Sequence, residues 1–137
     1  MRIVYMPGVW DLLHVGHVAA LESARALGDV LVVGVPGDEV VREDKGSLPV
    51  IPLHARLRML LALRCVDVAY PYHALEFVTH LALFRPDVLA VGETWGCEQR
   101  HLDAEQWARD HGCRVVKLPY TPEESTTSIR QRILRDG

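Results

Sequence analysis

Short apolar segments alternate with helical patterns about five times along the 137-residue chain. The strongest apolar segment, residues 30–35, reads Val-Leu-Val-Val-Gly-Val. A continuous β-branched run of this kind is typical of a strand buried on both faces of a parallel sheet. Further strands are predicted over residues 3–6, 66–70, 88–91 and 115–118. Because parallel strands need crossover connections, the alternation predicts an α/β fold with a doubly wound parallel five-stranded sheet and helices on both faces.

The predicted helices occupy the segments between these strands. Val18, Leu21 and Ala24 recur at three-residue steps, which predicts a helix over residues 15–27 with Gly28 as its stop. A short helix is predicted from Asp38, and longer ones over residues 53–63, 75–84, 102–111 and 126–134. Residues 45–52 (KGSLPVIP) are predicted to form a loop. Ligands of such sheets bind at the carboxyl ends of the strands, so we expect the chemistry in the loops that follow them.

Composition narrows the class of protein. The length fits a single domain over residues 1–137, and 49% apolar with 24% charged residues is ordinary for a globular chain. The net charge of −3 argues against a nucleic-acid-binding protein. No apolar run approaches the roughly 20 residues that span a bilayer, and no signal peptide is predicted before the first strand. Cys65, Cys97 and Cys113 form no CxxC pair, which suits a reducing cytoplasm.

The loop after the first predicted strand carries two histidines. His14 and His17 lie three residues apart at a predicted helix start, so their rings share one face. Gly16 between them has no side chain, which allows a phosphate to approach the backbone. The helix N-terminus adds free N–H groups and a partial positive charge. This arrangement suits a triphosphate, although a metal site or ordinary packing residues are open alternatives. No third metal ligand is obvious.

Several motifs together resemble one family. HxGH at the first strand–helix junction, preceded by GxxD, resembles the cytidylyltransferase-like branch of the HIGH-motif nucleotidyltransferases, which have a Rossmann-like fold. The resemblance covers nearly the whole chain. It includes Arg-Cys-Val-Asp at 64–67, Gly-Glu-Thr-Trp at 92–95 and Ser-Thr-Thr-Ser-Ile at 125–129. In this family the phosphate of one substrate attacks the α-phosphorus of a nucleoside triphosphate, and pyrophosphate leaves.

The resemblance implies roles for individual residues. The expected catalytic residues are His14 and His17 on the phosphates, Lys45 as a mobile positive charge, and Thr127 as a phosphate donor. Mg²⁺ is expected to bridge the phosphates without a protein cage. Asp11 is expected to orient its loop, and Asp67 to hold an arginine. The implied nucleotide-binding residues are Gly8, Val9, Trp10, Asp11, Gly16, Arg56, Arg64, Gly92, Glu93, Thr94, Trp95, Thr121, Ser125, Thr126, Ser128 and Arg130.

Some of these residues have a structural alternative. Trp95 is equally suited to stack on a base or to plug the core. Arg56 and Arg64 are equally suited to structural ion pairs and to phosphate contacts. Lys45 lies in a charged turn and could be a solvated side chain, and residues 125–128 could be a helix cap.

Motifs from two branches of the family occur in this chain. Arg64, Asp67 and Trp95 resemble glycerol-3-phosphate cytidylyltransferases and favour CTP, with glycerol 3-phosphate or a related alditol or sugar phosphate as acceptor. The KGxxPV-like loop and Tyr120 resemble heptose-phosphate adenylyltransferases, which makes ATP and a sugar 1-phosphate the alternative. A non-catalytic nucleotide-binding domain is a third hypothesis. The resemblance also implies a homodimer.

Overall fold

Five parallel strands form one sheet in the computed structural model, which describes residues 1–119 and 126–136 except for the side chains of residues 126–128 and 136. The strands are β1 (Ile3–Pro7), β2 (Val30–Pro36), β3 (Val68–Tyr72), β4 (Val88–Val91) and β5 (Arg114–Lys117). Their spatial order is β3-β2-β1-β4-β5, and each neighbouring pair is parallel. The predicted doubly wound sheet is therefore confirmed. The order reverses between β1 and β4, where such sheets open a crevice.

Helices cover both faces of this sheet. They are α1 (Val15–Arg25), α2 (Asp38–Lys45), α3 (Leu53–Leu61), α4 (Val78–Phe84), α5 (Gln99–Asp110) and α6 (Thr126–Asp136). Successive strand residues point to opposite faces, so β1 supplies both cores. Val4 and Met6 pack with α1 and α3, whereas Tyr5 packs in a second core with apolar residues of α2, α4 and α5. No described helix is long and apolar enough to cross a membrane.

Four elements begin at different residues from those predicted, namely β3, α4, α5 and β5. Local hydrogen bonds explain the shifts of β3 and α5. β3 starts at Val68 and not at residue 66, because the Asp67 carboxylate accepts the Leu31 N–H at 2.8 Å before the strand pairing begins. α5 starts at Gln99 and not at residue 102, because Glu98 and His101 form a capping box. Because β3 ends at Tyr72, this residue lies at the carboxyl end of the sheet. The start of α5 lies close to the same edge.

Candidate active site

A cavity of about 770 Å³ lies at the carboxyl ends of the strands. Residues that follow β1, β2, β3, β4 and β5 all contribute to its lining. Most of the predicted site residues meet there. Those that line the cavity are Gly8, Val9, Trp10, Asp11, His14, Gly16, His17, Lys45, Gly92, Glu93, Thr94, Trp95 and Arg130.

The two histidines form a stacked pair at the start of α1. Their ring centroids lie 3.9 Å apart with an interplanar angle of 29°. His14 is the N-cap of the helix, and its Nδ1 accepts the Gly16 N–H at 3.1 Å. The Nδ1 of His17 accepts the His14 N–H at 3.2 Å. Since each Nδ1 accepts a hydrogen bond, the proton of each neutral ring lies on Nε2, which fixes the tautomer of both.

The charge state of His17 follows from its surroundings. Burial, helped by the neighbouring His14 and only weakly opposed by Asp11, lowers the pKa of His17 to about 4. The ring is therefore neutral at neutral pH and acts as an N–H donor without a charge of its own. A neutral N–H donor can hydrogen-bond to a phosphate oxygen, and its protonation state does not change near neutral pH.

Trp10 holds the loop between β1 and α1 in place. Its Nε1 donates to the Gly34 carbonyl at 3.0 Å, and the ring packs edge-on against His17 at 5.6 Å. The backbone φ of Trp10 is 60°, a left-handed conformation that L side chains rarely adopt. A Cβ on Gly8 would lie 2.6 Å from the Trp10 ring, so Gly8 is required for this packing. Trp10 thus positions the histidine pair in addition to lining the cavity.

Asp11 links three parts of the cavity wall. Its carboxylate accepts the Val50 N–H at 2.8 Å, the Ile51 N–H at 2.9 Å and a guanidinium N–H of Arg130 at 2.8 Å. Burial by itself would raise the pKa of Asp11, but these hydrogen bonds outweigh burial and lower it. The expected orienting role of Asp11 is therefore visible as a tie between the loop after β1, the loop before α3 and helix α6.

Neither Arg56 nor Arg64 is brought to the cavity lining. The Arg56 side chain is fully buried and donates to the Ile51 carbonyl, the Val9 carbonyl and the Asp38 carboxylate at 2.7–2.9 Å. Arg64 is exposed before β3, at the amino end of that strand and opposite the cavity. For Arg56, the structural ion pair is the arrangement that the geometry supports. Asp67 holds an arginine as expected, and this arginine is Arg25 at 3.2 Å.

The cavity has a charged rim at the end of α2. Lys45 is the last residue of that helix, and its Nζ lies 3.9 Å from the Asp44 carboxylate. Asp44 also accepts a hydrogen bond of 2.8 Å from Arg100, which follows β4 at the start of α5. Sequence analysis missed both Asp44 and Arg100, because neither belongs to a motif and 55 residues separate them along the chain.

The segment after β4 combines exposed and packed residues. Gly92, Glu93 and Thr94 are exposed in the cavity lining, whereas Trp95 is only 9% exposed. Trp95 stacks on His101 at 4.2 Å and donates its Nε1–H to Glu105 at 3.1 Å. One ring face and the N–H of Trp95 are therefore engaged within the protein, which favours the packing alternative for this residue.

A buried polar chain supports the opposite wall of the cavity. Tyr72 lines the cavity and stacks on His80 at 4.6 Å. His80 donates from Nε2 to the Glu76 carbonyl at 2.6 Å and accepts from the Tyr5 hydroxyl on Nδ1. Burial lowers the pKa of His80 and raises the pKa of Tyr5, so both groups are neutral partners. Sequence analysis assigned His80 no role.

The predicted residues of the closing signature are described only in part. Tyr120, Thr121 and Ser125 lie outside the described residues, as do the side chains of Thr126, Thr127 and Ser128. Arg130 is described, and its bond to Asp11 brings α6 to the cavity.

Comparison with known proteins decides the family. The family model described as cytidylyltransferase-like matches residues 5–132. The chain belongs to the cytidylyltransferase-like family. The match covers the loop after β1 with its histidine pair, the segment after β4 and α6 up to residue 132, so the whole cavity lies within the shared region. The chain is therefore a member of a nucleotidyltransferase family, as its motifs predicted.

Relatives within this family carry different names. The bifunctional protein HldE of Alcanivorax borkumensis is 36% identical over 133 residues, which are 96% of this chain and 28% of that protein. The FAD synthase of Methanopyrus kandleri is 37% identical over 135 residues, or 93% of this chain and 88% of that protein. The ethanolamine-phosphate cytidylyltransferase of Dictyostelium discoideum is 55% identical over 67 residues, or 48% of this chain and 19% of that protein.

The fold has a solved counterpart. The lipopolysaccharide core biosynthesis protein of Thermoplasma volcanium superposes with a TM-score of 0.74 at 27% identity, covering 90% of this chain and 99% of that one. The chain spans just over a quarter of the length of the HldE proteins it matches, 28% for the Alcanivorax protein.

Proposed function

We propose that this member of the cytidylyltransferase-like family transfers a nucleotidyl group from a nucleoside triphosphate to a phosphorylated small molecule. The observation that carries the proposal is the stacked His14–His17 pair at the start of α1, in which each Nδ1 accepts a backbone N–H and each Nε2–H is left as the donor of the ring. A phosphate oxygen of the acceptor attacks the α-phosphorus and forms a P–O bond. The bond between the α-phosphorus and the bridging oxygen of the β-phosphate breaks, and pyrophosphate carries away the electron pair.

The chain contributes positioning and charge stabilisation to this step. The two histidines donate to phosphate oxygens as charge moves toward the leaving pyrophosphate. Lys45 adds a positive charge from the rim, where its side chain is 60% exposed and can follow the substrate. Exposed backbone groups at Gly92–Thr94 are suited to read the edge of the base.

Mg²⁺ fits this cavity as a companion of the triphosphate. Among residues 1–119 and the described part of α6, no cluster of three or more His, Cys, Asp or Glu side chains is arranged to hold a metal. The ion would be held chiefly by phosphate oxygens, as the sequence predicts, and would neutralise part of their charge. Of the carboxylates in the lining, Asp11 and Asp44 are each engaged by an arginine, and Glu93 lies in the exposed segment after β4.

We propose ATP as the nucleotide, which reverses the preference derived from the sequence. Lys45, Ser47, Leu48 and Pro49 of the KGxxPV-like loop line the cavity. Of the features that favoured CTP, Arg64 and Asp67 lie outside the lining, and Trp95 lines the cavity but is packed and only 9% exposed. A FAD synthase, whose product contains adenine, also aligns over 93% of this chain.

CTP is the second candidate. The named cytidylyltransferase is 55% identical to this chain, although over only 67 residues. The acceptor in either case is a phosphorylated alditol or sugar, and the heptose 1-phosphate type is the one that the loop resembles.

The test follows pyrophosphate release from purified protein with Mg²⁺, each of the four nucleoside triphosphates and a panel of phosphorylated acceptors. Release with ATP alone supports the proposal, and release with CTP alone replaces it with the second candidate. Nucleotide binding without release from any acceptor, together with unchanged affinity in His14→Ala, would support a non-catalytic binding domain. The expected homodimer is tested by sedimentation, where a mass near the 15.4 kDa of one chain would refute it.

A further inference from the structure

The ion pair between Arg100 and Asp44 at the cavity rim has no role in the nucleotidyl transfer step proposed above. Arg100 donates to the Asp44 carboxylate at 2.8 Å and thereby joins the start of α5 to the end of α2. Both side chains line the cavity and both are largely buried, with 17% and 24% exposure. The Nε–H of Arg100 is buried and has no hydrogen-bond partner among the described residues, so part of its donor capacity is unused.

The position of this pair points to the acceptor. On the proposed function, the phosphates lie over the histidine pair at β1, and the base lies toward Gly92–Thr94 after β4. The half of the cavity beyond β2 and β3 then receives the acceptor. Besides the ion pair, this half is lined by Tyr72 and Phe77, and Lys45 lies at its edge.

We infer that Asp44 and Arg100 form the subsite that selects an acceptor with an uncharged, hydroxyl-bearing tail. A carboxylate accepts hydrogen bonds from hydroxyl groups, and a guanidinium donates to hydroxyl oxygens, so the pair can serve both functions of a hydroxyl at once. Only the small exposed parts of Phe77 and Trp95, 6% and 9% of these residues, line the cavity and offer contact to the C–H groups of a sugar or alditol.

The charged groups of the subsite disfavour an acceptor that ends in an ammonium group. Lys45 and Arg100 both face Asp44, at 3.9 Å and 2.8 Å, and Arg100 also lies 3.9 Å from the Glu98 carboxylate, so each carboxylate of this cluster is already paired with a cation. An acceptor ammonium group would have to approach Lys45 and Arg100 to reach carboxylates that already pair with them, whereas an uncharged hydroxyl meets no such repulsion. Like charges at such distances repel in a partly buried site. Phosphoethanolamine is therefore disfavoured, even though a cytidylyltransferase that is named for it is a relative.

The experiment compares two acceptors of similar size, glycerol 3-phosphate and phosphoethanolamine, together with a set of sugar 1-phosphates and FMN. The variants are Arg100→Gln and, as a matched control on the same helix, Arg109→Gln, whose exposed guanidinium donates to Gln106 at 2.9 Å outside the cavity lining. Steady-state kinetics measure KM for each acceptor and for the nucleotide. Calorimetry measures binding of each acceptor in the presence of a non-hydrolysable nucleotide.

We expect the wild-type protein to prefer a polyol phosphate to phosphoethanolamine in both measurements. Arg100→Gln should raise the KM and Kd of the polyol phosphate by about 10- to 100-fold, the loss expected for one charge-assisted hydrogen bond, without changing the KM of the nucleotide. Arg100→Glu should shift the preference toward phosphoethanolamine, and Arg109→Gln should match the wild type.

The two proposals fail in different ways. Transfer that prefers phosphoethanolamine or FMN, or that is insensitive to Arg100→Gln, would overturn the subsite and leave the proposed function intact. Acceptor binding that weakens in Arg100→Gln, in a protein that releases no pyrophosphate, would support the subsite and refute the proposed function. A protein that neither binds nor converts any acceptor of the panel would overturn both.

Discussion

Replacement of Asp11 by alanine tests how the cavity wall is held together. Asp11 is 4% exposed, and its carboxylate accepts two backbone N–H groups and one guanidinium N–H. The two backbone donors belong to Val50 and Ile51, in the loop that precedes α3, and the third belongs to Arg130 of α6. The substitution removes the acceptor of all three donors at once and leaves a small void.

The expected loss can be worked from these contacts. The bonds from the Val50 and Ile51 N–H groups go to a charged carboxylate, and each contributes about 1.5 kcal/mol, the lower end of the range for such bonds. The Arg130 pair adds only about 0.5 kcal/mol, the contribution typical of partly exposed pairs, because its side chain is 41% exposed. The sum is a loss of about 3.5 kcal/mol, which lowers the Tm of a domain of this size by roughly 10 °C.

Urea unfolding followed by circular dichroism measures the loss, with Asp29→Asn as the control because Asp29 is exposed and accepts one backbone N–H. The lowered pKa of Asp11 gives a second readout. A depressed carboxyl pKa contributes stability above its unfolded value of about 3.9, and this contribution disappears as the pH falls through the folded value. The difference between wild type and Asp11→Ala should therefore shrink in strong acid. A loss below 0.5 kcal/mol (about the noise of such measurements) would refute the reasoning.

Three further predictions concern the histidine pair and Arg56. His14→Ala should lower kcat by about 10²-fold or more, as removal of a preorganised transition-state donor does, and should lower Tm by a few degrees because His14 is also the N-cap of α1. The pKa of His17 is about 4 in the fold and about 6.5 unfolded, so the unfolded chain takes up the proton first. The free energy of unfolding should have its full value above pH ~6.5. It should fall by about 1–2 kcal/mol toward pH 4 after allowance for solvent screening. In His17→Gln, the urea midpoint should depend less on pH over this range. Arg56→Lys should cost about 2–4 kcal/mol, because its buried partners lose their donors, while kcat falls far less than in His14→Ala at a temperature where the variant is folded.

The fold could be predicted from local patterns. The β-branched run of residues 30–35 and the alternation of strands and helices contain the information that a doubly wound sheet needs, and all five strands are observed. The start of α1 could be predicted because HxGH places two side chains on one helical face. Errors occurred where a side chain replaces a backbone partner, as Asp67 does for Leu31.

Contacts between distant segments could not be predicted in the same way. The pairing of Arg100 with Asp44 depends on how far α5 approaches α2, and no periodicity encodes that distance. Arg56 has the residue type of a phosphate ligand, yet three protein groups surround its guanidinium. Arg56 lies among leucines in α3, and this is a signal for such burial because the apolar side of an amphipathic helix packs on the core. The sequence alone does not distinguish that burial from an active-site position.

The geometry also assigns different tasks to the histidines and to the lysine of the proposed mechanism. Each Nδ1 accepts a backbone N–H, and burial lowers the pKa of His17 to about 4, so His17 is a fixed donor without charge. The bond to Asp11 engages the charge of Arg130. The side chain of Lys45 is 60% exposed. It precedes Val50 and Ile51, the residues through which Asp11 holds the loop. A rigid donor pair with a cation on a movable stem can meet charge that shifts from the α-phosphate to the departing pyrophosphate, since the lysine can follow it while the histidines hold the starting geometry.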